Sequence, residues 1–88
     1  MQPGITSYKH LNEVIFNALV IRYEKNKDRE IERHEMTARS IQDWIVTHYK
    51  TDKVRINGVK IAKRLKGVAH VVVRHGKDGL CYYRYDPN

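Results

Sequence analysis

Lys60, Lys63 and Arg64 fall at i, i+3 and i+4 within "GVKIAKRLK", and Lys66 lies at the edge of the same face. On a helix this spacing sets the cations side by side. They then offer charge-assisted hydrogen bonds to a polyanion over a length suited to a groove and its flanking phosphates. No acidic residue interrupts the chain between Lys53 and Asp78. Arg74, Lys77 and Arg84 carry the same sign into two alternating runs around "GKDG". Arg55, Asn57 and Arg64 are the side chains here able to make bidentate contacts to a base edge. Backbone amides at a helix start near Asn57 and Gly58 suit a phosphate.

Other chemistries find less support. The 10 acidic residues are scattered, with no pair set out for general acid–base work and no glycine-rich phosphate loop, so no enzyme and no catalytic residue is expected. One cysteine, Cys81, excludes an internal disulfide framework and a cysteine-based zinc cluster. His34, His48, His70 and His75 have no metal-ligand spacing on one element, and His70 and His75 have opposite parity on a strand. No metal, cofactor or small-molecule substrate is expected. Trp44 is read as a core residue, and His48 as a satisfied, partly buried one.

The chain has 88 residues, with 17 Lys+Arg against 10 Asp+Glu, a formal net charge of +7. That length suits one domain with one core. The charge favours nucleic acid as a partner, ahead of an anionic membrane or an acidic protein. No apolar run is long enough to cross a bilayer, and "MQPGITSYKH" lacks the regions of a signal peptide. The expectation is a cytoplasmic protein with no membrane partner.

These residues need elements to hold them. Residues 1–6 read as a flexible lead-in, broken by Pro3 and Gly4. Residues 7–26 read as a helix capped by Ser7, with Leu11, Val14, Ile15, Ala18 and Leu19 on one stripe. Phe16, Val20 and Ile21 lie off that stripe. Either the rest of the domain covers them, or a second copy does, which gives a homodimer through the first helix. Residues 27–36 read as a charged linker. Residues 37–50 read as a second helix, capped by Thr37, with Ile41, Trp44, Ile45, His48 and Tyr49 at helical spacing. "KVRI" at 53–56 alternates as a brief strand does.

Residues 57–66 read as a short helix that Asn57 caps and Gly67 ends, with Val59, Ile61, Ala62 and Leu65 on its buried side. Residues 68–86 read as a β-hairpin. Val71 and Val73 take one face of it, and His70, Val72 and Arg74 the other. On the second strand Leu80, Tyr82 and Arg84 alternate with Cys81, Tyr83 and Tyr85. The fold class is α+β: three helices followed by a C-terminal hairpin.

In that order and charge placement, residues 8–86 resemble a winged helix-turn-helix domain. The resemblance lies in architecture and not in a diagnostic motif. It matches "MTARSIQDWIVTHY" to the supporting second helix, "INGVKIAKRLKG" to the helix that enters the DNA major groove, and "VVVRHGKDGLCYYRY" to the wing. "KTDKVRIN" is longer than the tight turn of a simple helix-turn-helix unit.

The resemblance implies a small double-stranded DNA-binding protein, a transcriptional regulator acting by promoter occupancy. Its contact residues would be Arg55, Asn57, Lys60, Lys63, Arg64, Lys66, Arg74, Lys77 and Arg84. Two other readings stay open. One is a protein–protein adaptor whose basic face meets an acidic partner. The other is an RNA or single-stranded DNA binder that stacks bases on Tyr82, Tyr83 and Tyr85.

Overall fold

The computed structural model describes residues 2–88. Helix α1 spans Tyr8–Asn26, and Ser7 caps it by accepting the His10 amide on Oγ at 3.1 Å. Its buried stripe is the expected one: Leu11, Val14, Ile15, Ala18 and Leu19. Of the residues off the stripe, Phe16 finds a partner within the chain. Phe16 and Tyr23 each meet the ring of Tyr85 edge-on, with centroids 5.5 Å apart. Ile21, at 36% exposure, is left partly open.

The charged stretch after α1 holds more order than a linker. Residues Ile31–His34 form one 3-10 turn. His34 is buried; its Nε2 lies 2.7 Å from the Asn26 carbonyl oxygen, and its ring meets Tyr23 edge-on. Strand β1 follows at Met36–Thr37. Thr37 then caps helix α2, Ala38–His48, through a 3.1 Å hydrogen bond from the Ser40 amide to Oγ1. Ile41 and Ile45 are fully buried, and Trp44 packs against the core. His48 departs from expectation: it is exposed, with its ring stacked on Trp44 at 4.5 Å.

Two more expectations are corrected. The lead-in is tied down, because Lys50 donates to the Pro3 carbonyl at 2.8 Å and Ile5 donates to the Lys50 carbonyl at 2.9 Å. Ile5 is fully buried, so the breakers Pro3 and Gly4 introduce a core residue. Residues 53–56 form a turn and an irregular approach to the third helix, with no strand. Val54 is buried there, so the apolar residues of "KVRI" serve as anchors, not as a ladder.

Helix α3 spans Gly58–Leu65. Asn57 Oδ1 accepts the Lys60 amide at 2.9 Å, and Gly67 leaves the helix end at φ +74°. That left-handed conformation is one a side chain would strain. Ile61 and Leu65 are buried and Ala62 packs against the core. Val59 does not join them: it is 66% exposed. Ile61 is two residues away, about 200° around the helix, so a helix that buries Ile61 turns Val59 outward.

Strands β2, Val71–His75, and β3, Cys81–Tyr85, form the hairpin. Gly76 donates to the Leu80 carbonyl at 2.8 Å, and Gly79, at φ +83°, donates to the Gly76 carbonyl at 3.1 Å. The connection is thus a three-residue loop closed by a left-handed glycine. A side chain on Gly76 would meet Tyr82 Cε2 at 2.7 Å.

The sheet is antiparallel in the order β1-β3-β2. Met36 and Val73 both pair with Tyr83, while Thr37 and Arg74 both pair with Tyr82 on the opposite face; Met36 and Tyr83 are buried, and Val73, on the edge strand, is 40% exposed. The chain is therefore α+β, with three helices and a three-stranded antiparallel sheet. Its core lies where α1 packs on α2, α3 and β3. Among the described residues, no helix is long and apolar enough to cross a membrane.

Candidate nucleic-acid interface

Helix α3 sets the charged face. With Ile61 and Leu65 turned into the core, Lys63 and Lys66 are exposed and Lys60 is half-buried. Arg55, on the approach to the helix, is exposed too. Among the described residues none of these four makes an ion pair. Their charges are uncompensated and remain open to an outside anion.

Arg64 sits differently. Its guanidinium donates to Asn12 Oδ1 at 3.0 Å and lies 4.5 Å over the ring of Tyr8, which fastens α3 to α1. Asn57 is likewise occupied as the α3 cap. Of the three side chains suited to bidentate base contact, only Arg55 is unengaged.

The hairpin divides in the same way. Arg74 donates two hydrogen bonds of 2.9 Å to the carboxylate of Glu35. The same guanidinium lies 4.4 Å over the Tyr82 ring. Glu35 is a residue the sequence hides as one acid among many, yet it is 7% exposed. The Arg74 hydrogen bonds hold its carboxyl below the usual range, against burial, which raises it. Tyr82 donates its hydroxyl to Asp78; that bond pushes the phenol up and the Asp78 carboxyl down. Arg84 pairs with Asp86 at 3.6 Å. Lys77, at the hairpin tip, is exposed and unpaired among the described residues.

The nine anticipated contact residues therefore separate. Arg55, Lys60, Lys63, Lys66 and Lys77 are available, while Asn57, Arg64, Arg74 and Arg84 are spent on the fold. The tyrosines are engaged as well. Tyr83 is 5% exposed, and Tyr85 packs between Phe16 and Tyr23.

Two residues not anticipated stand at the same place. Arg39, on the first turn of α2, and Val59 line an open groove of about 430 Å³ with Ala62, Leu80 and Cys81. The groove runs between the starts of α2 and α3 and the turn end of the hairpin, and no acidic side chain lines it. Helical spacing alone held the signal for Val59, which shares a face with Lys63 at i, i+4. Nothing local marks Arg39, since its place beside Val59 depends on how α2 and α3 pack.

Cys81 Sγ lies 3.4 Å from His75 Nδ1 across the hairpin. Among the described residues no three His, Cys, Asp or Glu side chains gather as a metal site would require. Comparison with known proteins found no matching family model, no matching curated protein and no matching solved structure.

Proposed function

We propose that this chain is a small double-stranded DNA-binding protein of the winged helix-turn-helix kind, regulating transcription by occupying promoter DNA. Helix α3 enters the major groove, and the hairpin tip rests on the backbone through Lys77. The observation that carries this reading is the outward side of α3, where Lys60, Lys63 and Lys66 have no acidic partner while Ile61 and Leu65 lock the opposite side into the core. An exposed lysine face usually carries interleaved acids; this one has none.

The element order supports the family reading. The short strand β1 precedes α2, the two hairpin strands follow α3, and β3 lies between β1 and β2. That order is compatible with a winged helix-turn-helix, although residues 49–57 make a longer connection than a tight turn. The engaged state of Tyr82, Tyr83 and Tyr85 speaks against base stacking on the hairpin, and so favours duplex over single strand.

The test is binding to random duplex DNA across a salt series. Five available cations give a log–log slope of roughly −4 to −5 per chain. Replacing Lys60, Lys63 and Lys66 together by alanine lowers that slope by about 3 and leaves the circular dichroism spectrum unchanged. A wild-type protein without duplex affinity at moderate salt overturns the reading, as does a firm preference for single strands.

A further inference from the structure

We propose that Val59 reads thymine, packing against a thymine C5-methyl group in the major groove and setting a base preference that the lysines of α3 do not. The inference rests on the DNA-binding reading above and adds to it a specificity residue. Val59 is 66% exposed, the most exposed large apolar residue among those described. It stands on the first turn of α3, on the side turned away from Ile61 and shared with Lys63.

The polar side chains that would ordinarily read a base from α3 are already used. Asn57 Oδ1 holds the Lys60 amide, and Arg64 is bound to Asn12 and stacked on Tyr8. Lysine is a flexible point charge that lacks the rigid fork of arginine, and its contact on a base edge is with guanine, not thymine. The outward side of α3 is left with one rigid group able to discriminate, and it is apolar. On the major-groove edge of B-DNA the matching group is the thymine methyl.

The surroundings favour DNA over a protein occupant. Arg39, which also pairs with Asp43 at 3.8 Å, lines the groove with Val59 and no acid stands in its wall, while Lys60 and Lys63 on α3 and Lys66 at its end stand unpaired among the described residues. An apolar spot on the helix that carries these unpaired lysines complements a methyl group flanked by phosphates. Leu80, 50% exposed on the hairpin side of the groove, extends the apolar surface.

The experiment selects bound duplexes from a random pool, then replaces each thymine of the selected site in turn by deoxyuridine, which removes only the methyl. Wild-type protein loses affinity about four-fold at one position, the loss of one buried methyl at ~0.8 kcal/mol. Val59→Ala loses that sensitivity, keeping the wild-type salt slope and melting temperature. If the wild type is indifferent to every replacement, or Val59→Ala remains as sensitive, the inference is wrong while duplex binding stands. A selected site without thymine has the same meaning. Absence of any duplex binding removes both the inference and the reading beneath it.

Discussion

Arg74 reaches from β2 across β3 to grip Glu35, two hydrogen bonds of 2.9 Å joining residues 39 apart in the chain. The carboxylate is buried and the guanidinium half-exposed, with side-chain exposures of 4% and 50%. The hairpin is thereby tied to the residue preceding β1 and α2.

Breaking that tie leaves a buried carboxylate without its partner, which is costlier than removing both groups. Arg74→Ala is expected to lower the melting temperature by at least about 5 °C, well beyond the effect of Arg33→Ala at an exposed pair. Glu35→Gln gives the pH signature. Because folding depresses the Glu35 pKa, its contribution is present above the ordinary value of 4.5 and fades as pH falls through the lowered one. The gap in melting temperature between wild type and Glu35→Gln should be full near neutrality and close in acid. A gap constant down to pH 3 would contradict this.

Ile5 tests whether the first residues belong to the core. Its side chain is fully buried, so Ile5→Ala is expected to cost about 2–4 kcal/mol in urea unfolding. A truly loose lead-in would register almost nothing.

Asn57 separates a cap from a base reader. Asn57→Ala should reduce stability by about 1 kcal/mol, and Asn57→Asp should largely restore it, because either oxygen can accept the Lys60 amide. Base preference in a selection experiment should be the same in both variants and the wild type. A shift in preference would mean that the side chain leaves its cap on binding.

At the hairpin, Lys77→Ala should reduce the magnitude of the salt slope by about one, whatever the DNA sequence. Arg84→Ala, which loses a pairing with Asp86, should leave the slope nearly unchanged. Equal effects of the two would show that Arg84 is released in the complex.

Legibility from sequence followed the range of each interaction. Ser7, Thr37 and Asn57 mark helix starts through bonds to the residue three positions on, Gly67 marks a helix end by its left-handed backbone, and all four are readable. Strand β1 was not, because two residues show no periodicity and its partners Tyr82 and Tyr83 lie far along the chain. Val59 was misplaced because α3 is short and holds several apolar residues, so its pattern fits more than one rotation. Packing of Ile61 and Leu65 chooses among them. The basic face was legible as composition, but which cations are free was not. Arg64 and Arg74 look like their neighbours until Asn12 and Glu35 arrive from elsewhere.

Thr37 belongs to both layers at once, pairing with Tyr82 in the sheet while its hydroxyl oxygen starts α2. One residue therefore couples the register of the sheet to the start of α2, so any shift in how β1 pairs with β3 is passed on directly to the helix that packs against α3.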